Sequence, residues 1–138
     1  MKKVTKASLI ILLTLIMCLT GITASANEQT GITPRLSHTE DSNFFFAASS
    51  SGGDFYVNYK GLDSFARADL TVKLEKSFLF FFWTDMGTIT ASSTQQNGHF
   101  ANTFALDGKG TYRATFTLRI TGTNGTVDTV EQVIESTY

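Results

Sequence analysis

Cysteine, proline, histidine and positive charge are all scarce in this sequence. Its 138 residues include one Cys, one Pro and two His. The cysteine, Cys18, lies in an N-terminal segment that we expect to be removed, so the remaining chain would have no disulfide, thiol nucleophile or thiolate metal ligand. Three of the eleven Lys and Arg residues lie in the first six positions, which leaves residues 27–138 with a net charge of −4. Lacking a basic excess, this part is not expected to bind nucleic acid or to be drawn electrostatically to anionic lipid.

The N-terminus has the three parts of an export signal. Lysines at the start precede the apolar run Leu9–Leu19, and Ala24-Ser25-Ala26 supplies a small-x-small cleavage site. We therefore predict a signal peptide over residues 1–26, cleavage after Ala26, and an extracellular, secreted protein. A retained anchor is the alternative, because Ala7–Ala26 is an uncharged stretch of 20 residues. Thr, Ser and Gly make its second half too polar for that alternative.

Cys18 raises a third interpretation, in which the cysteine becomes a lipidated N-terminus. That processing needs a small residue before the cysteine, and this sequence has Met17 there. Cleavage at Cys18 would also leave the Ala-Ser-Ala site unused. A Lys-rich signal followed by a chain without cysteine is typical of a Gram-positive bacterium.

The chain after the signal is predicted to be all-β. Residues 27–42 are polar and without periodicity, which indicates a flexible leader or a first edge segment, and residues 43–138 form the predicted domain. All 17 aromatic residues lie after position 26, a composition that favours strands. Ala68, Leu70, Val72 and Leu74 share one parity, as in a strand with one buried face. In Thr111–Thr121 the predicted inward residues are Tyr112, Ala114, Phe116, Leu118 and Ile120.

Turn signals separate about seven such strands, which predicts an antiparallel sandwich or barrel. Asn97-Gly98 is interpreted as the end of a polar turn, and Asn124-Gly125 as a hairpin reversal. The last strand, about Thr126–Ser136, has valines and isoleucine of both parities, from which we predict a β-bulge near Glu131. We predict no helix.

The segment Asp107–Ala114 (DGKGTYRA) resembles the turn into the sixth strand of immunoglobulin-like domains, whose pattern is Asp-x-Gly-x-Tyr-x-Cys. This sequence has one extra residue before Gly110, and an alanine where the cysteine would stand. The resemblance implies an antiparallel immunoglobulin-like sandwich in which Tyr112 bonds back to the preceding turn. It further implies that Trp83 is the central buried indole, and that Leu74 and Ala114 replace the disulfide.

A narrower resemblance covers roughly residues 65–138. In this region the chain is similar to small exported Firmicutes proteins of a domain-of-unknown-function family. The segments that carry the similarity are the strand ending in Leu74-Glu75-Lys76, the turn with Trp83, Gly110–Arg113 and the C-terminal Glu135-Ser136. This resemblance implies a β-sandwich and export, and it implies no activity.

Catalytic signals are weak. His38 lies in the polar leader near two acids and His99 follows Asn97-Gly98, and both are interpreted as solvated side chains. No serine stands in a Gly-x-Ser-x-Gly elbow, and none of the twelve acids is singled out as half of a glycosidase-like pair. We expect no enzyme activity, no cofactor and no metal site, with a small hydrolase as the last of three hypotheses.

The run Phe78–Trp83 (FLFFFW) is the most unusual feature of the sequence, because six large apolar residues follow one another. One explanation is a strand covered on both faces, in part by Phe44–Phe46; the other is an exposed apolar ridge at a hairpin tip. The chain must turn between Lys76 and Phe82, and successive side chains diverge in a turn. We therefore predict that Trp83 is buried and that at least two of four residues are exposed as an interaction surface: Phe78, Leu79, Phe80 and Phe81.

These observations favour a secreted, non-enzymatic β-sandwich that acts by binding an unidentified protein or cell-surface ligand. The alternative is a secreted antimicrobial or membrane-active protein that contacts a membrane through the aromatic tip.

Overall fold

The computed structural model describes residues 36–79 and 81–138. This part of the chain is all-β, with seven strands and no helix. The strands are β1 (Thr39–Ser49), β2 (Gly52–Gly61), β3 (Phe65–Phe78), β4 (Phe82–Ser93), β5 (Asn97–Phe104), β6 (Thr111–Gly122) and β7 (Val127–Thr137). The predicted signal peptide and most of the predicted leader lie outside the described residues.

The strands form two antiparallel sheets, with the orders β1-β2-β5 and β4-β3-β6-β7. This is an immunoglobulin-like arrangement in which the fourth strand lies beside the third. The sheets pack face to face, since the Phe116 ring of β6 lies 5.6 Å from Phe44 and 5.9 Å from Phe55 of the other sheet. The prediction of an antiparallel sandwich of about seven strands is confirmed.

The alternating patterns of β3 and β6 form the centre of the core. All five predicted inward residues of β6 are fully buried, and so are their neighbours Ala68, Val72 and Leu74 on β3. Val57 of β2, from the opposite sheet, is also fully buried. Side chains alternate between the two faces of a strand. Once the facing of one residue is predicted correctly, the facing of all other residues in that strand follows.

The first strand begins earlier than predicted. β1 starts at Thr39, so the last four residues assigned to the leader belong to the sheet. His38 is only 3% exposed, and its interpretation as a solvated side chain is wrong. The polar sequence of residues 39–43 does not indicate a strand. Thr39, Asp41 and Asn43 nevertheless pair with β2 through backbone groups, which are the same in polar and apolar residues.

The predicted bulge near Glu131 is wrong. The pairing of β7 with β6 runs without a register shift from Thr111↔Thr137 to Thr121↔Val127. Val130 and Ile134 pack against the core, whereas Val127 and Val133 are exposed on the outer face. The mixed parity of the apolar residues therefore reflects two solvent-facing valines on an edge strand.

A bulge occurs instead in β4, and it moves Trp83 to the outer face. The β3–β4 register shifts between Leu74↔Gly87 and Glu75↔Asp85, which leaves Met86 as the extra residue. Beyond the shift, Trp83 pairs with Ser77 and is partly buried. The prediction of a buried central Trp83 is wrong. One extra residue reverses the facing of the side chains on one side of the bulge relative to the other, and Trp83 lies on the hairpin side.

Leu74 and Ala114 do not occupy the positions of the inter-sheet disulfide. They are paired neighbours on β3 and β6 of one sheet, whereas that disulfide joins the second and sixth strands across the sandwich. The implied replacement is wrong because the strand that contains Leu74 is the third in the chain.

Asn97-Gly98 is also misassigned as a turn, because both residues open β5 and pair with β2. The glycine is needed for packing: a Cβ at Gly98 would lie 2.2 Å from the hydroxyl oxygen of Tyr59.

Candidate contact surface at the β3–β4 hairpin

The closing loop of the β3–β4 hairpin lies past the end of its sheet. The last pair between β3 and β6 is Lys76↔Tyr112, after which β3 continues to Phe78 with only β4 as a neighbour. Phe78 pairs with Phe82, so a three-residue loop closes the hairpin. β6 and β7 also continue past Tyr112, through Thr111↔Thr137 to mutual backbone hydrogen bonds between Gly110 and Tyr138, so only the closing loop extends past the sheet, by roughly 5 Å.

Large apolar side chains occupy this tip and are exposed to solvent. Phe78 is 59%, Leu79 65%, Phe81 85% and Phe82 64% exposed. The prediction that at least two of the four named residues are exposed is confirmed by Phe78, Leu79 and Phe81, while Phe80 lies outside the described residues. Phe82, which pairs with Phe78 and is similarly exposed, was not among the predicted residues.

Leu79 combines exposure with an unfavourable backbone conformation. Its φ angle is +49°, in the left-handed region. A residue with a branched apolar side chain is disfavoured there by roughly 1–2 kcal/mol, and Gly or Asn is the usual choice. Leu79 is therefore a poor choice for both the turn and the solvent.

A charged network lies on the outer face at the base of the hairpin. The Arg113 guanidinium carbon lies 4.1 Å from the centre of the Trp83 ring, and an Arg113 nitrogen lies 2.6 Å from a Glu75 carboxylate oxygen. The hydrogen bond from Arg113 holds the pKa of Glu75 below its ordinary value, against the opposing effect of burial. Oppositely charged outward residues on adjacent strands were the sequence signal for this pair, which our prediction missed.

On the inner face, Lys76 covers the tyrosine and turn singled out in the sequence. The Lys76 ammonium lies 5.5 Å from the centre of the Tyr112 ring and donates to the Asp107 carbonyl oxygen. Tyr112 donates a 2.6 Å hydrogen bond to the carbonyl of Gly108, in the direction that the immunoglobulin-like resemblance implies. The Gly110 amide donates to the carbonyl of Tyr138, which ties this turn to the C-terminus.

The charges around the base of the hairpin balance. Lys73, Lys76 and Arg113 contribute three cations, and every one of them has a carboxylate within 4 Å. The acids are Glu75, Asp85 and Asp107, and Lys73 lies between the first two, 3.0 Å from Glu75 and 3.8 Å from Asp85. Lys109, in the same turn as Asp107, adds a fourth cation, and Glu135, which pairs with Arg113 from β7, adds a fourth acid, so the surface behind the apolar tip carries no excess of either sign.

The two histidines lie away from the hairpin. His38 is held by hydroxyl groups, with Nδ1 2.7 Å from Ser64 Oγ and Nε2 2.5 Å from Thr126 Oγ1. The Asp128 carboxylate accepts from the backbone amide of His38 and not from the ring, so it does not orient the imidazole as a catalytic triad would. His99 is exposed on β5, with Nδ1 2.7 Å from Asn58 Oδ1.

Within residues 36–79 and 81–138, no three His, Cys, Asp or Glu side chains gather in a group that could hold a metal ion. Nor does that part of the chain include a helix long and apolar enough to cross a membrane.

Comparison with known proteins assigns neither a family nor a function to this chain. No family model matches the chain, and no curated protein matches it. A solved structure described as a family 76 glycoside hydrolase from a bovine Bacteroides thetaiotaomicron strain is similar at a TM-score of 0.39 and 13% identity. The likeness covers 74% of this chain, which spans 20% of that chain. A likeness of this size carries no inference about activity.

Proposed function

We propose that this protein is an exported, non-enzymatic binding module that attaches to a cell surface through the tip of its β3–β4 hairpin. The observation that carries the proposal is the exposure of Phe78, Leu79, Phe81 and Phe82 together on one projecting element. Contiguous exposed apolar side chains of this size mark contact sites, because they lower solubility without contributing to the core.

Leu79 supports a functional rather than a structural role for the tip. A non-glycine residue at positive φ is costly, and such strain clusters at binding sites. Asn at this position would relieve the backbone and remove the apolar side chain. The backbone conformation at position 79 therefore favours Gly or Asn, whereas the proposed contact favours an apolar side chain. Leu fits only the second of these requirements.

Export is supported by the N-terminal sequence pattern of residues 1–26. On this proposal the protein in the culture medium begins at Asn27, which intact-mass or N-terminal analysis tests. A protein that retains residues 1–26, or that carries lipid on Cys18, contradicts the export half of the proposal.

The binding half is tested by adding the purified protein back to washed cells of the producing organism and measuring the fraction that sediments with them. Leu79→Asn should raise the free energy of unfolding by up to about 1 kcal/mol and lower the cell-bound fraction. The matched control is a Val127→Ser, Val133→Ser variant, which removes exposed apolar side chains from β7 instead. It should sediment like the wild type.

Equal sedimentation of the wild type and of a Phe81→Ser, Phe82→Ser variant would contradict the proposal. Loss of stability without loss of binding in that variant would show that the tip serves the fold alone.

A further inference from the structure

We infer that the ligand of the hairpin tip is the interfacial region of a lipid bilayer, entered without any requirement for anionic lipid. This inference rests on the proposed function and names the class of its ligand. It follows from the shape, length and charge of the hairpin.

The apolar surface of the tip is small. Three phenylalanines and a leucine at the observed exposures offer roughly 500 Å² of apolar surface. A standard protein interface buries about 800 Å² on each partner, which this surface does not reach. A bilayer sets no such threshold, because its acyl chains deform around an apolar protrusion.

The length of the hairpin matches interfacial insertion. The β6–β7 ladder ends at the Gly110–Tyr138 hydrogen bonds, level with Phe78, so the closing loop extends roughly 5 Å past the sheet. Elements that lie in the bilayer interface enter about 5–10 Å. A spanning strand needs about 9–11 residues, which the projecting part lacks. Trp83 lies one residue behind the Phe78↔Phe82 pair, at the level where tryptophan favours the headgroup region.

The charges behind the tip decide the lipid class. Lys73, Lys76 and Arg113 are each paired with a carboxylate, and the charge of Lys109 is offset in number by Glu135, so the base presents no cationic excess to anionic headgroups. Attraction to anionic lipid would require a cluster of Lys or Arg in excess of acids near the membrane. The apolar tip must therefore supply the affinity, and the affinity should be insensitive to salt.

The test is flotation of the purified chain 27–138, the product of the proposed cleavage, with phosphatidylcholine vesicles that lack or contain phosphatidylglycerol. The wild type should float with both kinds of vesicle at low and high salt. The emission of Trp83, the single tryptophan, should shift to the blue. The Phe81→Ser, Phe82→Ser variant should partition about a hundredfold less, because each buried Phe side chain is equivalent to about a factor of ten.

Two further variants separate binding from folding. Leu79→Asn should float less while its midpoint of denaturation rises, and Val127→Ser, Val133→Ser should float like the wild type. Entrapped dye should stay in the vesicles, since the tip enters only the interface.

The inference is overturned if the wild type fails to float with phosphatidylcholine, if it floats only when phosphatidylglycerol is present, if the double Phe variant floats equally well, or if dye is released. When vesicles are not bound but cell sedimentation still depends on the tip, the ligand is a protein or wall polymer. The bilayer inference then fails while the proposed function stands. If sedimentation does not depend on the tip, the proposed function itself fails.

Discussion

Gly122 shows how one residue permits another to be buried. A Cβ built at Gly122 would lie 2.4 Å from Cε1 of His38, with the rest of the imidazole almost as close. The imidazole thus occupies the space that any other side chain at position 122 would need. Its two nitrogens reach Ser64 and Thr126, hydroxyls on either side of it. The absent side chain at position 122 is therefore part of the His38 site.

Gly122→Ala should lower the free energy of unfolding by about 1–3 kcal/mol, the usual cost of overpacking a filled space. The cost should shrink when the same substitution is made in a His38→Ala background, because the clashing ring is gone. Urea denaturation of the wild type, the two single variants and the double variant measures the coupling. Additive effects would mean that His38 does not occupy this space in solution.

At the scale of the element, β6 is the strand whose sequence and structure agree most closely. It lies between β3 and β7, and its inward side chains from Tyr112 to Ile120 are all fully buried. The intervening residues face outward, where Thr115 pairs with Lys73 and Val133. A strand with neighbours on both sides and no bulge keeps its parity throughout, so its pattern alone predicts its facing.

Leu118→Ala should lower the free energy of unfolding by about 2–5 kcal/mol, because it leaves a cavity in a packed core. Thr115→Ala, on the outer face of the same strand, should change it by no more than about 0.5 kcal/mol. Chemical denaturation of both variants is the measurement. A larger loss for Thr115 than for Leu118 would contradict the facing of β6.

Strand β4, on the other side of β3 from β6, did not follow its sequence pattern. Ile89 and Ala91 lie opposite Val72 and Leu70 and pack against the core, and the same parity carried forward would place Trp83 inward. The extra residue at Met86 interrupts that parity, with the Gly87 amide donating to the Asp85 carboxylate across the bulge. Gly87, with a φ of +129°, is the local signal for this bulge, and our prediction did not use it.

At the scale of the whole molecule, β1 joins the two sheets along one edge. The amide of His38, just before β1, donates to the Asp128 carboxylate of β7, and the Ala48 amide donates to the hydroxyl of Ser136. These bonds lie at the two ends of β1 and tie the three-stranded sheet to β7 of the other sheet. The start of β1 is therefore part of the folded domain, although its sequence has the polar character of a leader.

A chain that begins at Asn43, the predicted domain boundary, should be less stable than one that begins at Leu36. The shorter chain loses the buried His38 and Thr39 and the pairing of β1 with the end of β2. We expect a loss of about 2 kcal/mol or more, the sum of one or two buried hydrogen bonds and the lost packing. Thermal and urea denaturation of the two chains provide the comparison, and equal stability would restore the boundary at residue 43.

The sequence by itself determined the all-β class, the seven strands, the inward faces of β3 and β6, and the exposure of part of the Phe78–Trp83 run. Each of these follows from a periodicity or a turn that the chain carries locally. Tertiary structure alone decided the outward position of Trp83 beneath Arg113, the burial of His38, and the straight pairing of β7. These features depend on which residue lies opposite on a partner strand, and pairing across a sheet joins positions far apart in the chain, where no local pattern records the register.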